Sequence, residues 1–134
     1  MVEVDIDSFR VALHVLAVSV WIGGQIVLAA MVPLLRSIDS DAPRQAARRF
    51  GLVAWPFFAL AVLTGIWNLI EVDFDNLETS YHMTLGIKML LVGVSGGAAA
   101  VHSMTDSPRI RGLTGALALV AALAALFLGV LLVT

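Results

Sequence analysis

Apolar residues neither alternate with polar ones along this chain nor keep to a narrow helical stripe. They run in four long blocks, at about 9–35, 51–72, 83–104 and 112–133. Each block is close to the roughly 20 residues that a helix needs to cross the hydrocarbon core of a bilayer. Inside hydrocarbon, a run of that length satisfies its own N–H and C=O groups only as a helix. The pattern therefore predicts an all-α fold, an integral membrane four-helix bundle made of two antiparallel hairpins. Residues 1–134 form a single four-span transmembrane domain in this reading. The first block is read as a retained span rather than a cleaved leader. It is long, follows the acidic residues Glu3, Asp5 and Asp7, and has no small-x-small cleavage site before polar sequence.

Composition agrees with this pattern and narrows the chemistry. The 134 residues are 60% hydrophobic and 13% charged, against roughly 45–50% and 25% in ordinary soluble domains. There is no cysteine, which excludes a disulfide framework and any thiolate metal site. Eight basic residues against ten acidic ones give a net charge of -2, so no basic face exists to neutralise a phosphate backbone and nucleic acid is excluded as a partner. The distribution of charge is more informative than its sum. Arg36, Arg44, Arg48 and Arg49 fall in the first connection and Arg109 and Arg111 in the third, whereas the second carries Glu71, Asp73, Asp75 and Glu78. The positive-inside rule then places both termini and the acidic connection on the outer side of the cell (inner) membrane.

A chain this apolar shows its chemistry through the polar groups it tolerates, because a charged side chain at the bilayer centre costs from about 2.5 kcal/mol upward. On the first span His14, Val18, Trp21 and Gln25 share one helical face, next to Gly23 and Gly24. Thr64 and Asn68 are one turn apart on the second span, with Trp67 between them. The third carries Lys88, with His82 at its outer edge and His102 at its inner edge. His14 and Lys88 each lie about five residues inside their spans, roughly 8 Å deep at 1.5 Å per residue, and Asn68 falls in the same layer. His82 and His102 are about 30 Å apart along one helix and cannot share an ion.

Each of these groups has two readings. His14 is an interhelical hydrogen-bonding imidazole or a ligand, and Lys88 snorkels to the headgroups or offers a lone pair to a metal. His82 with Met83 is a soft-metal encounter site or an ordinary helix start. The small-residue stripe Gly86, Gly93, Gly97 and Ala100 is a close-packing surface or room for a flat macrocycle. Trp55, Pro56, Phe57 and Phe58 read as a kinked or interface-anchored entry to the second span. The fourth span reads as scaffold or lipid-facing wall, and no nucleotide loop, zinc-protease pair or nucleophile elbow is present.

In order along nearly the whole chain, three segments resemble the copper-resistance D (CopD) membrane domain family. They are Leu13-His14-Val15-Leu16-Ala17-Val18-Ser19-Val20-Trp21-Ile22-Gly23-Gly24, then Arg48-Arg49-Phe50-Gly51 leading into Leu63-Thr64-Gly65-Ile66-Trp67-Asn68, then Gly86-Ile87-Lys88-Met89-Leu90-Leu91-Val92. A first-span histidine with a third-span lysine is also similar to the more distant HemJ-type protoporphyrinogen oxidases. That resemblance implies haem b held by His14 and Lys88, and a haem-dependent oxidoreductase or electron-transfer role with a redox partner; in the outer-half polar cluster read from the residues, Thr64, Asn68 and Trp21 support that site. A four-span unit without an appended copper domain implies a homodimer. Copper is the other cofactor the resemblance implies, as cargo of a permease or binding subunit using His82, Met83 and His14 near the outer face. A cofactor-free accessory subunit is the third reading.

Overall fold

The structure, a computed structural model, describes residues 2–134, and its described secondary structure is helical. Four long helices occur in chain order: α1 (Ile6–Ile38), α2 (Ala42–Ile70), α3 (Thr79–Met104) and α4 (Pro108–Leu131), with a short 3-10 turn at Phe74–Asn76 before α3. All four are long and apolar enough to cross a membrane. Large apolar side chains such as Leu52, Leu63, Leu90 and Phe127 are exposed on them, which suits lipid and not water. The all-α expectation therefore holds, and the chain is a multi-pass membrane protein.

The chain divides into two compact units, one ending at Val72 and the other spanning Asp73–Thr134. Each is a helical hairpin with a three-residue connection, residues 39–41 in the first and 105–107 in the second. Within the first unit the register is antiparallel: His14 meets Thr64, Arg10 meets Asn68 and the Trp21 ring packs on Phe58. Within the second, Lys88 reaches Gly129, Ser95 bonds Ala118 and His102 lies against Gly115.

The helices outrun the apolar blocks that predicted them. The α2 start is Ala42-Pro43-Arg44-Gln45-Ala46-Ala47-Arg48-Arg49, a run of strong helix formers with proline in the first turn, where its missing N–H costs nothing. Arg44, Arg48 and Arg49 therefore sit on α2, and Arg36 on the last turn of α1, not in a loop. Arg109 and Arg111 likewise begin α4, where the Ser107 side chain caps Ile110 N–H. Hydropathy follows apolar content, whereas helix ends follow propensity and capping. For the same reason Trp55-Pro56-Phe57-Phe58 lies in the middle of α2 and not at its entry.

Packing in the second unit also departs from the stripe expectation. A Cβ built on Gly86, Gly93 or Gly97 meets nothing within 4 Å, so that glycine spacing is not where α3 meets α4. The buried residues are instead Ser95, Gly96 and Ala98 on α3 and Ala118, Ala121, Ala122 and Ala125 on α4, and Ser95 bonds the Ala118 carbonyl across the hairpin. Small side chains let two backbones approach closely where lipid supplies no hydrophobic drive. The fourth span is thus one wall of a hairpin along its alanine face.

Candidate functional site

The sequence candidates His14 and Thr64 come together in the first unit. His14 Nδ1 lies 2.9 Å from Thr64 Oγ1, and Thr64 is only 3% exposed. The direction of this bond follows from counting protons. Thr64 has one hydroxyl hydrogen, which it gives to the Leu60 carbonyl at 2.7 Å, with the Ala61 carbonyl at 3.2 Å. A carbonyl can only accept, so Thr64 Oγ1 accepts from His14 Nδ1–H. In its neutral form the imidazole is therefore the Nδ1–H tautomer, with its lone pair on Nε2. Gly65 makes room for the ring: a Cβ there would stand 3.3 Å from His14 Cε1.

Asn68 serves a different residue, one turn nearer the open end of the hairpin. Its Oδ1 accepts from Arg10 Nε at 2.7 Å, so Thr64 and not Asn68 faces His14. Arg10 also pairs with Asp7 at 2.8 Å, lies 3.9 Å from Glu71, and rests over the Trp67 ring at 5.9 Å. Its side chain is 11% exposed. Sequence reasoning passed over Arg10, although an Asp7–Arg10 pair three residues apart was a visible signal. The guanidinium fastens the first turns of α1 to the end of α2 and is largely satisfied by that work.

Trp21 sits two turns from His14, but its ring belongs to an aromatic cluster, 5.3 Å from Trp55 and 4.5 Å from Phe58 between centroids. Gln25 turns back on its own helix, donating to the Trp21 carbonyl at 2.9 Å. The aromatic cluster packs α1 on α2 about two turns from the imidazole.

Lys88 belongs to the second unit, where its Nζ would be 3.1 Å from a Cβ on Gly129. The aromatic ring of His82 stacks near Phe74 at 5.8 Å, and Met83 beside it is exposed. Nearer the other end of α3, His102 Nδ1 donates to the Arg111 carbonyl at 2.7 Å, and Arg111 in turn donates to the Thr105 carbonyl at 2.7 Å. Among the described residues, no three His, Cys, Asp or Glu side chains converge in a way that could hold a metal ion.

This arrangement defines a class, a multi-pass helical membrane protein with single polar side chains held inside apolar hairpins. Comparison adds no narrower identity: no family model matches the chain, and no curated protein or solved structure matches it significantly.

Proposed function

We propose that this chain is a CopD-like protein of the cell (inner) membrane that binds haem b through His14 Nε2 and works in electron transfer or in copper handling. One observation carries the reading: Thr64 fixes His14 as the Nδ1–H tautomer. Histidine ligands of metals ordinarily donate their second ring N–H to an oxygen, which fixes the ring and raises the basicity of the ligating nitrogen. The donor set fits haem better than a bare copper ion. A macrocycle would bring its own four nitrogens and would need only one or two donors from the protein, whereas a copper ion would need several protein donors together. Bound haem would supply a one-electron couple. The chain's own residues orient the imidazole, hold its proton on Nδ1, and exclude water from that bond. Lys88 is the companion ligand that the HemJ resemblance names, and both termini face outward in this reading.

The test is the absorption spectrum and metal content of protein extracted from membranes after haem supplementation. Wild type shows a Soret band and His14→Ala loses it. A colourless wild type ends the haem reading, and stoichiometric copper that survives Lys88→Ala replaces it with the copper one.

A further inference from the structure

Lys88 is the only lysine in the chain, and α3 carries it some nine residues, about 14 Å, from its first residue. A lysine in a membrane helix ordinarily runs its stem toward the headgroups. This one lies across α4. A Cβ on Gly129 would be 3.1 Å from Lys88 Nζ and 3.4 Å from Cε, so any side chain at that position would occupy space the amine uses. Gly129 continues the small-residue face of α4 that includes Ala118, Ala122 and Ala125, at intervals of four or three residues. It also lies in the last turn of α4, whose carbonyl end attracts a cation. Lys88, Ser95 and His102 follow one another every seven residues on α3, and each is received by a small residue or a carbonyl of α4. At the other end of that row, a Cβ on Gly115 would be 3.0 Å from the His102 ring.

We propose that Gly129 is a positioning residue for Lys88, a backbone seat that keeps the chain's one lysine amine against α4 inside the second hairpin. The first hairpin uses the same device, with Gly65 under His14. The proposal gives the seat a purpose only if Lys88 belongs to the cofactor set proposed above, but the seat itself is read without any cofactor.

The experiment is acylation of the full-length, haem-free protein in vesicles by acetic anhydride, with the Lys88 peptide quantified by mass spectrometry. Because no other lysine exists, the signal has one source once the peptide bearing the chain's α-amine is set aside. Gly129→Val displaces the amine and raises the Lys88 labelling rate several-fold, Gly129→Ala raises it less, and Gly112→Ala leaves it unchanged. Gly112 is the control because it is on the same helix and a Cβ there meets nothing within 4 Å. Equal rates in all four proteins overturn the seat. Should Gly129→Ala fail to accumulate, Gly129→Ala with Lys88→Ala accumulates, since the obstruction is the lysine tip. Failure of that double variant as well assigns Gly129 to backbone packing and overturns the proposal. A colourless wild type that keeps the labelling difference refutes the haem reading alone, whereas a Soret band without the difference refutes the seat alone.

Discussion

Replacing Thr64 with valine keeps the volume and β-branching of the side chain while removing one oxygen. That oxygen is the acceptor for His14 Nδ1–H at 2.9 Å, in a position only 3% exposed. In a soluble core, stranding a buried donor costs about 1–3 kcal/mol. Interhelical hydrogen bonds in membranes average nearer 0.6 kcal/mol and reach about 1.7 kcal/mol, because the unfolded chain in lipid finds partners too. The Thr64 hydroxyl also makes a back-bond to Leu60, but that carbonyl already serves the helix, so its loss adds little. The expected destabilisation is therefore about 1 kcal/mol for Thr64→Val and a few tenths for Thr64→Ser, which keeps the oxygen. The assay is reversible unfolding in mixed detergent micelles, followed by far-ultraviolet circular dichroism and tryptophan fluorescence, with His14→Phe completing a double-mutant cycle. A coupling energy of about 0.6–1.7 kcal/mol between the two positions is expected. With haem present, Thr64→Val also weakens its retention about 10–100-fold, the usual cost of losing the partner behind a ligating histidine. Zero coupling, with valine and serine indistinguishable, would remove the proton count that puts the lone pair on Nε2, and the cofactor argument with it.

Three further outcomes follow from the same geometry. Arg10→Met leaves Asn68 Oδ1 without its 2.7 Å donor and removes the Asp7 pair; it lowers stability by about 1–3 kcal/mol in the same unfolding assay and increases amide exchange at the start of α1. Ser95 is 1% exposed and donates to the Ala118 carbonyl at 2.8 Å. Ser95→Ala therefore costs about 0.6 kcal/mol, whereas Ser95→Leu forces α3 from α4 and costs about 1–3 kcal/mol, a contrast read by unfolding midpoints. Asp5 caps α1 by accepting from Ser8 N–H at 2.7 Å and Ser8 Oγ at 2.6 Å, and these Ser8 bonds hold its carboxyl below the ordinary value. A carboxyl so lowered binds protons more weakly folded than unfolded, so the cap is fully present above the ordinary value and is lost as pH falls through the lowered one. Hydrogen exchange at Ser8 should rise across that acidic window, and Asp5→Asn should flatten the dependence.

The number of helices was legible because bilayer thickness sets block length, and four blocks gave four spans. Their ends were not, because Ala42–Arg49 is polar but helix-forming and hydropathy cannot separate such a segment from a loop. The His14 and Thr64 partnership was half legible: both polar residues stood out in apolar runs, yet counting depth from the block edges put Asn68 level with His14. The actual hairpin register places Asn68 opposite Arg10. A shift of one helical turn, about 5.4 Å, is enough to exchange the partners of a histidine and an arginine, and block edges are no sharper than that.

Gly129 shows the other limit. Nothing in Phe127-Leu128-Gly129-Val130 marks its glycine as different from the others in these apolar runs, because a glycine's role depends on which side chain of another helix reaches it. Lys88 meets Gly129 and His14 meets Gly65, while Gly86, Gly93 and Gly97, which have the more familiar spacing, meet nothing within 4 Å. Glycine lowers helix propensity by about 1 kcal/mol relative to alanine, a penalty softened in lipid by the lack of water to compete for the backbone. Close helix packing accounts for a glycine only where backbone meets backbone. Where a polar side chain fills the space instead, the glycine has a partner of its own, and removing that partner tests its role: with Lys88→Ala in place, Gly129→Ala should become neutral or stabilising. A substitution that stays equally costly in both backgrounds would return Gly129 to ordinary packing.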